Sequence, residues 1–95
     1  MIKCKTENGF EIEVNENIAK DFRIVMATAR LNSCDVHEKI SGTYDYVTAI
    51  VGKAGLEKLI AFASEKCGYA DTEFIVHEAK EILACAADID DGVKK

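Results

Sequence analysis

The feature that most restricts this chain is an alternating segment that turns back on itself at Asn8-Gly9. Ile2 and Cys4 before the turn, and Phe10, Ile12 and Val14 after it, alternate with Lys3, Lys5, Glu11 and Glu13. A period of two places the apolar side chains on one face of a pair of strands and the charges on the other. Asn-Gly is the favoured pair for a tight hairpin turn, in which both positions take positive φ. The pattern predicts a hairpin over residues 2–14. Lys3 and Lys5 facing Glu11 and Glu13 would add cross-strand pairs worth about 0.2–1 kcal/mol each. A lone hairpin is marginal in water, so its apolar face must lie on helices or on another chain.

Helical spacing follows. Asn15 as a cap and Glu16 in the first turn open a helix over about residues 16–31. Ile18, Phe22, Val25, Met26 and Ala29 fall on one face, which the spacing assigns to the core. Ile24, Ala27 and Leu31 form a second apolar strip on the far side, and a helix apolar on two sides is covered on both. Asn, Ser, Asp and Gly residues between Asn32 and Gly42 read as a break around one turn of helix at Val36–Ile40. Further helices are expected over 43–51, ended by Gly52, and over 55–67, with Leu56, Leu59, Ile60, Ala63 and Cys67 inward. The last, over 72–88, is capped by Asp71 and turns Ile75, Ala79, Ile82, Leu83 and Ala86 inward. Together these predict an α+β, mostly α single domain over 1–88: an N-terminal β-hairpin followed by a small bundle of three to four helices, with a frayed tail over 89–95.

Charge and composition narrow the function. Seventeen acidic against 12 basic side chains leave a net charge of −5, with lysines and arginines scattered, which argues against nucleic-acid binding. Apolar runs are too short for a membrane span, and the N-terminus lacks the apolar centre of a secretory signal. Without an export signal, Cys4, Cys34, Cys67 and Cys85 are expected as reduced thiols in a cytosol.

No chemical motif is complete. His77-Glu78-Ala79-Lys80-Glu81 lacks the second histidine of a zinc-protease helix, and the Glu73, His77, Glu81 strip reads as a solvated helix face with i,i+4 pairing rather than a weak metal site. Cys34 and His37 have the spacing of half a zinc site but no second close pair. Gly52-Lys53-Ala54-Gly55 lacks the Lys-Ser/Thr ending of a phosphate loop. The chain is therefore expected to be no enzyme and to carry no metal or cofactor. What remains is surplus apolar surface. Ile24, Ala27 and Leu31, with Phe62 off the main face of its helix, are the expected partner-binding residues.

In element order the chain resembles the small tail-assembly chaperones of long-tailed phages and prophages. The likeness lies in Thr6-Glu7-Asn8-Gly9-Phe10-Glu11-Ile12-Glu13-Val14, in the Asn15/Glu16 helix start with Asp21-Phe22, and in Ala49-Ile50-Val51-Gly52 followed by a Leu56-Glu57-Lys58-Leu59 helix to Gly68. The final amphipathic helix from Glu78 to Leu83 adds to it. The resemblance implies a non-enzymatic, self-associating protein of the host bacterial cytoplasm, absent from the mature virion. It would bind the long helical tape-measure protein, alongside the tail-tube protein, and keep the former soluble. Many such proteins are made in a short and a frameshifted long form. The readings that compete with it are a structural tail or connector subunit and a small metal-binding or regulatory domain.

Overall fold

The computed structural model describes residues 2–94, with side chains through residue 87. Strands β1 (Ile2–Lys5) and β2 (Glu11–Val14) pair antiparallel, Ile2 opposite Val14 and Lys5 opposite Glu11. Helices α1 (Phe22–Leu31), α2 (Val36–Cys67) and α3 (Thr72–Lys94) follow. The α+β, mostly α fold is the one expected. The frayed tail expected over 89–95 falls in the segment whose side chains lie outside the described residues.

The hairpin loop is one residue longer than a two-residue Asn-Gly turn. Thr6 and Phe10 close it, Thr6 N–H donating to the Phe10 carbonyl at 2.9 Å, and Gly9 N–H donates to the Thr6 carbonyl at 3.0 Å. Only Gly9, at φ 99°, takes positive φ, while Asn8 does not. A three-residue loop with glycine in the left-handed position is the next commonest hairpin solution. Both ammonium groups of β1 reach the same carboxylate: Lys3 and Lys5 lie 3.6 and 3.7 Å from Glu11.

The hairpin lays its apolar face on the helices, β1 against α3 and β2 against α2. Cys4, Phe10 and Val14 join Leu59, Ala63, Ile75, Ala79, Ile82 and Ala86 in one core. The inward face read for α3 is the one observed. Cys4 on β1 is disulfide-bonded to Cys85 on α3, with Cα atoms 6.1 Å apart, a separation ordinary for a disulfide. This corrects the expectation of four reduced thiols: the inward position on β1 and the apolar border of α3 meet across the core. Cys34 and Cys67 are free.

Two helix starts differ from the sequence reading, and each has a local cause. The Asn15 side chain accepts from Asn17 N–H at 2.8 Å and makes a turn, and Ile18–Lys20 is a short 3-10 helix. Asp21 is then extended, at ψ 122°, and its carboxylate caps α1 by accepting from Arg23 N–H at 2.9 Å. The helix therefore begins at Phe22, not near residue 16. α2 begins at Val36, not residue 43, because Asp35 caps it through the N–H groups of His37 and Glu38. Gly52, at φ 76° and ψ 171°, interrupts α2 where the sequence places the end of one helix and the approach to the next. Gly68, at φ 84°, closes it, its N–H reaching the Ser64 carbonyl at 2.9 Å. Among the described residues no helix is long and apolar enough to cross a membrane.

Candidate partner-binding surface

α1 and the first half of α2 form a helical hairpin that stands beside α3. Their crossing is close at Gly42, where an added Cβ would lie 2.7 Å from Arg30 Cβ. Arg30 fastens the pair by donating to Ser41 Oγ at 2.7 Å and to the Asp45 carboxylate. Asp21 is held below the usual carboxylate range, first by the hydrogen bond from the Arg23 side chain and then by the Arg23 amide.

This pair turns its faces the opposite way from the sequence reading. Ile24, 5% exposed, and Ala27 are buried against α2 and the core, and Leu31 is half-buried. They are not an outward partner strip. Phe22, 69% exposed, Val25 and Met26 face outward instead. The cause is the extended Asp21. A single helical period from Ile18 would carry Phe22 inward, and Ile18 is buried, but a residue at ψ 122° breaks that period between Ile18 and Phe22. Phe62 is not a free contact residue either. Its ring packs between Phe10 and Phe74, centroids 5.2 and 6.0 Å away, with the Lys66 ammonium 5.6 Å from its own.

A second outward stripe runs along the start of α2. Val36, Ile40 and Tyr44, each more than half exposed, are spaced i, i+4, i+8, so one helix face carries all three. The spacing is present in the sequence, but the break expected over Asn32–Gly42 separates Tyr44 from Val36 and Ile40. Large apolar side chains are thus uncovered on both helices of the pair. Exposed large apolar side chains gathered on one face of a helix, as each stripe is, mark candidate interaction sites. Residues 20–51 are also electrically neutral, with Lys20, Arg23, Arg30 and Lys39 against Asp21, Asp35, Glu38 and Asp45. The net charge of −5 belongs to the rest of the chain.

The His77 region has a structural task. Glu78, fully buried, accepts from Thr6 Oγ at 2.7 Å and from Asn8 Nδ2 at 3.1 Å. Glu81 accepts from Glu7 N–H at 2.9 Å. Both carboxylates therefore pin the hairpin loop to α3. His77 Nε2 lies 2.8 Å from Glu81 Oε2, within ion-pair range, although that oxygen receives no well-aligned hydrogen bond. The donor atoms of His77, Glu78 and Glu81 lie within 4.8 Å of one another. The loop contacts account for both Glu78 oxygens and for Glu81 Oε1. Glu78 was not singled out from the sequence, because its partners come from the other end of the chain. Cys34 and His37 lie in an exposed stretch, and neither joins a cluster of potential metal ligands among the described residues.

Compared with known proteins, the chain matches no protein-family model, no curated protein and no solved structure.

Proposed function

We propose that this protein is a non-enzymatic assembly chaperone of the phage-tail type, which binds a long apolar helical client and keeps it soluble. The tape-measure protein is the client in this reading, with the tail-tube protein as a second partner. The protein would act in the host bacterial cytoplasm, self-associate and be absent from the finished virion. In a reducing cytoplasm Cys4 and Cys85 would stand as neighbouring thiols beneath the same hairpin.

The observation that carries the reading is the uncovered pair of apolar stripes, Phe22/Val25/Met26 and Val36/Ile40/Tyr44, on an electrically neutral helical hairpin. An apolar helix docks on such a surface by burying its own stripe, gaining about 25 cal/mol per Å² before association costs. Neutrality of the hairpin avoids repelling a client of either charge, while the acidic remainder keeps the complex soluble. The test is co-expression with the tape-measure protein. The wild-type chain should hold it in the soluble fraction, and Phe22→Asp with Met26→Asp and Ile40→Asp should lose it while keeping the melting temperature. Equal recovery from both chains would contradict the proposal, as would finding the protein in purified virions.

A further inference from the structure

A groove lies between the α1–α2 turn and α3. It encloses about 600 Å³, with Leu31, Tyr46 and Val76 as apolar lining and Lys39 and Lys80 on opposite walls. Through Lys39, Thr43 and Thr72 it continues into a hollow of about 410 Å³ walled by Val36 and Ile40. Its α3 wall, from Thr72 to Lys80, is about 12 Å of helix, so an occupant of about two turns fits alongside. Neither lysine has an ion pair or side-chain hydrogen bond among the described residues, whereas Lys3, Lys5, Arg23 and Arg30 are all paired. Glu73 is the one acidic side chain among the described lining residues, on the same α3 wall as His77 and Lys80.

We propose that this groove docks an amphipathic helix whose apolar stripe is flanked by acidic residues. The inference rests on the reading that the chain captures helices, and it adds the chemistry of the segment captured. The apolar lining takes the stripe, and Lys39 and Lys80 take carboxylates on either side of it. The two lysines oppose the charge of the molecule as a whole. A net charge of −5 favours a cationic partner, so a preference for acidic flanks must come from the two local lysines.

The experiment uses two fluorescein-labelled amphipathic peptides with the same leucine stripe, one flanked by Glu and one by Lys, and reads fluorescence anisotropy at low salt. The Glu-flanked peptide should bind about tenfold more tightly, as two exposed ion pairs allow. Lys39→Glu with Lys80→Glu should reverse that preference without changing the circular dichroism. Equal binding of the two peptides, or a preference that survives the charge reversal, overturns the proposal. If both bind equally and Phe22→Asp with Met26→Asp abolishes binding, helix capture stands and only the groove is refuted. If neither binds, both fail. Sedimentation adds a last arm: a dimer that Val76→Asp dissociates makes a second copy the occupant and overturns the proposal.

Discussion

Replacing Gly42 by alanine should destabilise the protein, although in most helices the same change stabilises. Glycine in a helix interior costs about 1 kcal/mol relative to alanine, so an unconstrained site would gain that much. At Gly42 the new methyl would stand 2.7 Å from Arg30 Cβ, 3.1 Å from the Arg30 carbonyl carbon and 3.2 Å from Leu31 N. Carbon atoms rest at about 3.5–4.0 Å, and none of these three neighbours moves with a rotamer change, two being backbone and the third a Cβ that the backbone fixes. α1 must therefore shift by about 1 Å, which also pulls Arg30 from Ser41 and Asp45. Overpacking of this kind costs about 1–3 kcal/mol, and Gly42→Ala additionally disturbs those polar contacts. After the propensity gain is offset, a net loss of about 1–2 kcal/mol remains, or a fall of about 5–15 °C in Tm for a domain of this size. Thermal unfolding followed by far-ultraviolet circular dichroism measures it. A Tm that rises would refute the close crossing and with it the placement of the two apolar stripes.

Other consequences can be checked on the same material. The Cys4–Cys85 bond spans a sequence separation of 81 residues, and closing a loop that long removes denatured-state freedom worth about 4.5 kcal/mol. Reduction, verified by thiol titration, should lower Tm by roughly 20 °C or more, and identical melts of the two redox forms would count against the bond. Thr6→Val deprives buried Glu78 of a donor and Phe10 N–H of its acceptor at 3.1 Å. It should cost about 1–3 kcal/mol in denaturant unfolding, with less than additive loss when combined with Glu78→Leu. Because Arg23 depresses the Asp21 carboxyl in the folded state, the cap contributes fully above the unfolded value of about 4 and is lost as pH falls through the lower folded value. Asp21→Asn should therefore flatten the loss of Tm between pH 5 and 3, to the extent that an exposed group permits, and an unchanged slope would deny the cap that role.

Legibility in the sequence followed the range of the interactions. The hairpin was readable because alternation and Asn8-Gly9 are local, and so was α3, where Ile75, Ala79, Ile82 and Ala86 keep one helical period without interruption. The end of α2 was readable from Gly68. What failed depended on a single residue or on distant partners. One extended residue, Asp21, reset the phase of α1 and inverted its faces, so the expected contact strip of Ile24, Ala27 and Leu31 turned inward. Gly42 reads as a helix breaker by composition but serves a close helix crossing, which only the presence of Arg30 beside it reveals. Glu78 looks like one more surface acid until Thr6 and Asn8 arrive from the far end of the chain. The idea of surplus apolar helix surface survives this exchange of residues, because Phe22, Val25 and Met26 stand where Ile24 and Ala27 were expected.

The central claim is that α1 and the start of α2 present these particular apolar side chains to solvent. Paramagnetic relaxation by a soluble, uncharged nitroxide, read at assigned methyl groups of the dilute protein, tests it directly. The methyls of Val25, Met26, Val36 and Ile40 should relax strongly while those of Ile24, Ala27 and Leu59 are spared. Strong relaxation at Ile24 and Ala27, with Met26 and Ile40 protected in a monomer, would contradict the account.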